Sequence, residues 1–172
     1  YAEQEDQDSI NLAKDALQDL VLKENLELNA GTYYSLGICA TYKNQLEVAL
    51  DYFQKSLSFA LVEDNKLDIC RAIDSISRTY YSMDRLQDAL KEIYNLQVFF
   101  QVLPQPEIEL ACKMRNAHIF RKMKNFEQSL EMLWQCYEIL RSQRNIYIQV
   151  SLLYGMALTY RDMGEINLSK IY

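Results

Sequence analysis

The chain has 172 residues, 49% of them hydrophobic, and a net charge of −6 from 18 lysines and arginines and 24 aspartates and glutamates. This length suits one domain with a sizeable core, whereas the acidic balance excludes general nucleic-acid binding, which requires an excess of cations. No apolar run approaches the roughly 20 residues of a membrane span, and no secretory signal opens the sequence. Four glycines and two prolines are too few for the turns of a sheet protein, so the composition predicts helices joined by short loops.

The predicted elements are helices throughout the chain, because apolar residues recur at helical spacing. A single helix over about residues 3–24 comes first. Helix pairs follow near 30–63, 66–102 and 106–142, and a last pair begins near Asn145.

Residues that end helices lie where the predicted loops fall. Pro104 and Pro106 break the chain between the second and third pairs. Asn and Gly tolerate the left-handed conformation that follows the last turn of a helix. The loops within the four pairs contain Asn44, Asp84, Lys124 with Asn125, and Gly164.

Residues of one class recur along the chain at a constant interval of 40 residues. Two sets are small, which permits the two helices of a pair to approach closely. These sets are Gly37, Ser77, Ala117 and Ala157, and Ala49, Ala89, Ser129 and Ser169. Large apolar sets keep the same interval, such as Leu46, Leu86, Phe126 and Ile166, and Phe53, Ile93 and Leu133. The repeat predicts helix crossings at Gly37/Ala49, Ser77/Ala89 and Ala117/Ser129.

The pattern resembles the tetratricopeptide repeat (TPR), which has a small residue at its eighth position, an aromatic residue at the eleventh and Ala at the twentieth. The residues that carry the resemblance are Tyr33, Leu36, Gly37, Ala49, Phe53 and Ser56 in the first copy, Tyr80 and Ala89 in the second, and Ala157, Tyr160 and Gly164 in the fourth. The common TPR period is about 34 residues. A period of 40 predicts longer helices, of about 17 residues, and is similar to the repeats of bacterial signalling and regulatory proteins.

The resemblance implies an all-α fold, a right-handed TPR-like α-solenoid of antiparallel helix pairs that acts as a binding scaffold and not as an enzyme. We expect one repeat domain over residues 1–172. It consists of a partial repeat over 1–27, repeats over about 30–65, 66–105 and 106–145, and a truncated repeat over 146–172. Because both ends fall inside a repeat and the first residue is not Met, we expect the chain to be part of a longer protein.

In TPR proteins the first helix of each pair lines a concave groove, and the resemblance implies which positions face it. In the first two copies they are Gly31, Tyr34, Ser35, Ile38, Thr41, Tyr42, Arg71, Asp74, Ser75, Arg78, Tyr81 and Ser82. In the third and fourth they are Ala111, Met114, Arg115, His118, Arg121, Lys122, Ser151, Tyr154, Gly155, Leu158, Arg161 and Asp162. The predicted partner contacts are Tyr34, Arg71, Arg78, Tyr81, Arg115, His118, Arg121, Tyr154 and Arg161. We expect Arg78, His118 and Arg121 to share one surface.

The groove positions are basic on an acidic chain. They hold six of the positive and two of the negative side chains, which leaves twelve positive and twenty-two negative elsewhere. Arginine binds carboxylates through its planar fork and tyrosine supplies rigid contact area, so the groove favours an acidic peptide or protein segment. The alternative is that Arg71 and Arg78 pair with Asp74 at helical spacing and only solvate a helix face.

No residue pattern in the chain indicates catalysis or a cofactor. His118 is the only histidine, no nucleophile or carboxylate lies at a local spacing that would engage it, and no glycine-rich phosphate loop occurs. The four cysteines form no C-x-x-C pair, so they predict free thiols in a reducing cytoplasm and no metal site. We expect Cys39 and Cys136 to be buried.

Three functions remain open. The first is a protein- or peptide-binding module that regulates or recruits a partner. The second is the sensory domain of a bacterial signalling protein or transcriptional regulator, which responds to a peptide or small ligand. The third is an oligomerisation scaffold. The Lys/Asn clamp of chaperone-binding TPR domains is absent, since Gly31, Tyr34 and Ile38 hold its positions in the first copy, and the groove has no Asn of the kind that holds a peptide in pheromone receptors.

Overall fold

The computed structural model describes residues 28–102, 106–141 and 146–171. The predicted helix over 3–24 and the partial repeat over 1–27 lie outside these ranges. The chain divides into two compact units, Tyr1–Leu96 and Gln97–Tyr172. The division of the chain into repeats of one domain stays a prediction.

The described residues form helices and contain no strand, which confirms the all-α fold class. The first unit contains α1 (Ala30–Tyr42), α2 (Leu46–Val62), α3 (Lys66–Ser82) and the first part of α4 (Leu86–Val102). The second contains the rest of α4, then α5 (Pro106–Lys122), α6 (Phe126–Leu140), α7 (Ile146–Met163) and α8 (Ile166–Ser169). Each of α2, α3, α4 and α5 has 17 residues, the length that the 40-residue period predicts.

One turn geometry ends five of these helices. After α1, the amide of Asn44 donates to Thr41 O and that of Gln45 to Ala40 O, each at 2.9 Å, and Asn44 has a φ of 56°. These two bonds and the left-handed residue define a Schellman turn, which satisfies carbonyls that the helix end would leave open. The same bonds follow α2, α3, α5 and α7, with left-handed residues at Asp64, Asp84, Lys124 and Gly164. The turn at Asp64, which joins two pairs, was not expected from the sequence.

The core of the first unit forms where α1, α2 and α3 meet. Ala40, Ala49, Leu50, Phe53 and Ile76 are buried together. The helices pack closely because the positions at their crossings are small: Gly37, Ala49, Ser77 and Ala89 are all buried. At the crossing of α3 and α4, the Ser77 hydroxyl donates to Ala89 O at 3.0 Å, so the small polar side chain finds a backbone partner.

The core of the second unit is built on the same pattern. Its buried residues are Leu110, Ala117, Leu133, Cys136, Leu140, Leu152 and Met156. Ser129 is buried, like Ala117. Its hydroxyl oxygen lies 3.4 Å from the hydroxyl oxygen of Thr159 on α7. A buried polar residue of α5, Asn116, differs from these, because neither atom of its amide has a hydrogen-bond partner among the residues that the structure describes.

The cysteine prediction is partly wrong. Cys136 is buried as predicted, and so are Cys70 and Cys112, but Cys39 is only half-buried. Cys39 precedes the packed Ala40 on α1, and its own position turns partly toward solvent. Within the described ranges, no group of three His, Cys, Asp or Glu side chains is placed to hold a metal ion. None of the helices there combines the length and apolar character that crossing a bilayer requires.

Candidate binding face

A cleft opens in the first unit between α1 and α3. Its volume is about 250 Å³. It is lined by Ile38, Thr41 and Tyr42 of α1, Phe53 of α2, and Ser75, Arg78, Thr79 and Ser82 of α3. Six of these eight residues are positions that the resemblance assigned to the groove. The exceptions are Phe53, which belongs to one of the large apolar sets of the repeat, and Thr79; both are buried.

Hydrogen bonds fix the polar wall of the cleft. The Thr41 hydroxyl donates to Gly37 O at 2.9 Å, and the Thr79 hydroxyl to Ser75 O at 2.8 Å. The Ser75 hydroxyl donates to the Tyr34 hydroxyl at 3.4 Å, which links α3 to α1. Since both threonine protons are already used, these two side chains offer a ligand acceptor oxygens only.

Arg78 is the charged residue of the cleft. Its side chain is exposed, and in the described part of the chain no carboxylate lies within ion-pair distance of it. The apolar side chains that line the cleft with it are Ile38 and Phe53; Phe53 is buried, and its ring lies 5.6 Å from the ring of Tyr34. The cleft therefore combines one guanidinium with a lining of mixed polar and apolar side chains.

The other predicted contacts of the first unit lie outside the cleft. Arg71 is exposed and makes an ion pair with Asp68 at 3.3 Å, three residues earlier on α3. Tyr81 is half-buried and does not line the cleft. The alternative reading paired Arg71 and Arg78 with Asp74. Arg71 instead pairs with Asp68 on the same helix face, whereas Arg78 makes no ion pair within the described residues.

In the second unit, Arg121 of α5 and Arg161 of α7 meet at one carboxylate. Arg121 Nη1 lies 2.9 Å from Asp162 Oδ2, and Arg161 Nη2 lies 2.9 Å from Asp162 Oδ1. The Arg121 side chain is only 17% exposed. The ion pair therefore links α5 to α7 at positions that the resemblance assigned to the groove.

His118 is half-buried against Gly155 of α7. A Cβ added at Gly155 would lie 3.1 Å from the His118 Cε1 atom, so the glycine permits this approach. Burial lowers the pKa of His118, and the charges of Arg121 and Arg115 lower it further. Burial also lowers the pKa of Arg115, to about 10. His118 is therefore a neutral imidazole at pH 7, in a positive surrounding.

Tyr154 completes the predicted set and is 63% exposed on α7. The structure thus brings Tyr34 and Arg78 to one face of the first unit, and His118, Arg121 and Arg161 to one face of the second. That Arg78 shares a surface with His118 and Arg121 stays a prediction.

Solved structures of TPR-like repeat proteins resemble this fold. A Podosopora anserina putative kinesin light chain with TPR-like repeats has 13% identity and a TM-score of 0.76, over 98% of this chain and 86% of that one. The apo form of RapI has 12% identity and a TM-score of 0.80, over 96% and 47% of the two chains. NprR in complex with its cognate peptide NprX has 18% identity and a TM-score of 0.75, over 96% and 49%. The chain thus spans about half the length of RapI and of NprR.

These likenesses confirm that the helix pairs form a TPR-like fold. No protein-family model matches the chain, and no curated protein is similar to it in sequence. At identities of 12 to 18% the shared fold does not carry function with it.

Proposed function

We propose that the chain is a non-catalytic interaction module that binds an acidic segment of a partner protein or peptide along its first-helix face. The observation that carries the proposal is the cleft between α1 and α3, which the exposed Arg78 lines together with the apolar side chains of Ile38 and Phe53. The groove positions hold six positive and two negative side chains, although the chain as a whole has a net charge of −6. An acidic segment complements this distribution.

The cleft can bind two features of one segment. An apolar side chain of the ligand enters against Ile38 and Phe53, and a neighbouring carboxylate accepts hydrogen bonds from Arg78. Two packed helices lie roughly 10 Å apart. An extended peptide rises about 3.3 Å per residue, so about three ligand residues span the distance between two neighbouring helices. The anchor and the acidic residue are therefore expected within three residues of each other.

A random peptide library displayed on phage tests the proposal directly. We expect the wild-type chain to enrich acidic peptides with an apolar residue, and we expect synthetic versions of these peptides to bind less tightly as salt increases. Arg78→Glu should weaken binding at low salt at least about tenfold and flatten its salt dependence, because it replaces attraction by repulsion.

Lys91→Glu is the matched control, since Lys91 is exposed on α4, a second helix of a pair, and the substitution changes the charge equally. Both variants should keep the wild-type helix content and melting temperature. Equal loss of binding in the two variants would mean that only net charge matters, and unchanged binding in Arg78→Glu would refute the cleft.

A second candidate is a sensory domain that responds to a peptide. It is supported by the likeness to NprR, whose structure contains the peptide NprX. The two candidates differ in the chemistry of the enriched peptides: a sensor for one cognate peptide should select a single sequence, whereas a recruiting module should select a short acidic pattern. If no peptide is enriched and Arg78→Glu changes the mass of the assembly measured by light scattering, the face joins copies of this chain. The free thiols favour a cytoplasmic site of action for all three functions.

A further inference from the structure

The carboxylate of Asp162 lies between two arginines of the second unit. Arg121 reaches it from α5 through Nη1 at 2.9 Å. Arg161, the preceding residue on α7, reaches its other oxygen through Nη2 at 2.9 Å and Nε at 3.1 Å. Side-chain exposure is 17% for Arg121, 33% for Asp162 and 59% for Arg161, so the site reaches from the protein interior to solvent.

The hydrogen bonds of Arg121 are incomplete in this arrangement. Its Nε is buried and has no hydrogen-bond partner in the described part of the chain. A guanidinium binds a carboxylate best through two parallel bonds, one from Nε and one from Nη. Asp162 gives one oxygen to each arginine and leaves the Nε of Arg121 unmatched.

The surroundings of the site stay positive with Asp162 in place. His118 lies on the same helix as Arg121, and the charges of Arg121 and Arg115 lower the pKa of its imidazole. With Asp162 in place, the charges of Arg121 and Arg115 thus still act on His118.

We propose that Arg121 and Arg161 form a carboxylate-binding site that Asp162 fills in the free protein and vacates when a carboxylate of an acidic ligand binds. The inference rests on the proposed function for the nature of the ligand, but it concerns the second unit and not the Arg78 cleft. An internal competitor lowers the apparent affinity in proportion to the time that it occupies the site. Removing the competitor should therefore strengthen binding, the opposite of what loss of a ligand contact does.

His118 supplies the measurement. It is the only histidine of the chain, so its Cε1–H group gives a single histidine signal in a carbon-edited NMR spectrum. Glutarate is the probe, because it carries carboxylates without a peptide backbone. A carboxylate bound to Arg121 offsets part of that arginine's charge, so glutarate should raise the pKa of His118 in a saturable way.

Asp162→Asn should bind glutarate roughly three to ten times more tightly than the wild type, a gain that matches the loss of an ion pair of ordinary strength. Asp88→Asn is the control, since Asp88 forms a 2.7 Å ion pair with Arg85 in the first unit and its loss changes the net charge equally. The control should behave as the wild type. Equal tightening in both variants, or a His118 signal that glutarate leaves unmoved in Asp162→Asn, would overturn the proposal.

Arg161→Gln keeps the test decisive if Asp162→Asn does not fold. Arg161 is mostly exposed, so its loss should leave the fold intact and weaken glutarate binding in the otherwise wild-type chain. Tightened or unchanged binding would contradict the site.

N-acetylated, C-amidated triglutamate and N-acetylated trialanine with a free C-terminus then separate side-chain from terminal carboxylates. These titrations do not involve Arg78. If the proposed function fails, no acidic segment binds the cleft, but glutarate still shifts the His118 signal. If only this proposal fails, acidic peptides bind the cleft, but glutarate leaves the His118 signal unmoved.

Discussion

The ring of Phe53 on α2 occupies the space that a side chain at Gly37 of α1 would need. A Cβ built on Gly37 would lie 2.5 Å from Phe53 Cε1 and 2.6 Å from Cδ1, well inside van der Waals contact. Phe53 is buried, with only 1% of its surface exposed, so its ring has little room to move away. The absence of a side chain at Gly37 is therefore what lets α1 and α2 pack at this distance.

Gly37→Ala should lower the free energy of unfolding by about 1–3 kcal/mol, the usual cost of overpacking a filled core. Gly31→Ala is the control on the same helix. Its Cβ would meet only Asn29 Oδ1 at 3.4 Å, and Ala is the better helix former, so stability should stay equal or rise by up to about 1 kcal/mol. Urea unfolding followed by circular dichroism measures both. Equal stability of the two variants would show that Phe53 adjusts freely.

Asn116 of α5 is fully buried, and within the described ranges neither its amide oxygen nor its amide nitrogen has a hydrogen-bond partner. The residues one and two periods away are Leu36, Ile76 and Met156, all buried and apolar. An unpartnered buried amide costs about 1–3 kcal/mol. Asn116→Leu should therefore raise the free energy of unfolding by about 1–2 kcal/mol, an unusual direction for a substitution in a core.

Thr159→Val is the contrasting variant. The Thr159 hydroxyl is also buried but donates to Gly155 O at 2.8 Å, so its replacement by an apolar group of similar shape should cost about 1 kcal/mol. The two substitutions both exchange a buried polar group for an apolar one and should shift the unfolding midpoint in opposite directions. A destabilised Asn116→Leu would indicate that the amide is hydrogen-bonded in solution, for instance to a buried water.

Lys124 ends α5 in the left-handed conformation, with a φ of 62°, where Gly164 stands in the next repeat with a φ of 87°. A side chain in this conformation costs about 1 kcal/mol, which glycine avoids. Lys124→Gly should therefore raise the free energy of unfolding by roughly 0.5–1 kcal/mol, and with it the melting temperature. Gln135→Gly, in the middle of α6 and exposed, should lower it by about the same amount. If Lys124→Gly lowers stability as Gln135→Gly does, Lys124 does not adopt the left-handed conformation in solution.

The helix map follows from the sequence because the same side-chain sizes recur at each crossing. A small residue at Ser77 and another at Ala89 already predict that α3 and α4 touch there, and the Ser77 hydroxyl bonds to the Ala89 carbonyl. The turn at Asp64 was missed for a physical reason. The 40-residue repeat gives Asp64 no support, since the positions one and two periods later hold Pro104 and Arg144, and the bonds that impose the left-handed conformation come from the end of α2.

The candidate site was predicted only in part. Helix periodicity gives the face on which Arg78 and Tyr42 lie, because every first helix turns the same positions the same way. It does not give the choice of partner for each charge: Arg71 pairs with Asp68, and Arg121 pairs with Asp162 on another helix. Such pairs depend on tertiary distances, which side-chain spacing along one helix does not determine.

The four thiols should differ in reactivity. Cys39 is half-buried, whereas Cys70, Cys112 and Cys136 are buried. Burial raises the pKa of Cys70, and it raises that of Cys136 to about 11. Because only the thiolate reacts, iodoacetamide at pH 8 should label Cys39 at least about ten times faster than Cys136. Mass spectrometry of tryptic fragments gives the rates, and all four thiols should react alike in denaturant.

The raised pKa of Cys136 also predicts how stability changes with pH. The unfolded chain releases this proton near the ordinary value of 9.0, whereas the folded chain holds it up to about 11. The contribution to stability is therefore complete below about pH 9 and is lost as pH rises from there to about 11. At pH 10 the loss is about 1 kcal/mol for this thiol.

Other groups titrate in the same range, so the measurement compares the change in unfolding free energy of Cys136→Ala with that of the wild type. Between pH 8 and pH 10, Cys136→Ala should lose about 1 kcal/mol less in urea unfolding than the wild type does. Equal losses would mean that the Cys136 thiol ionises in the folded protein as readily as in the unfolded chain.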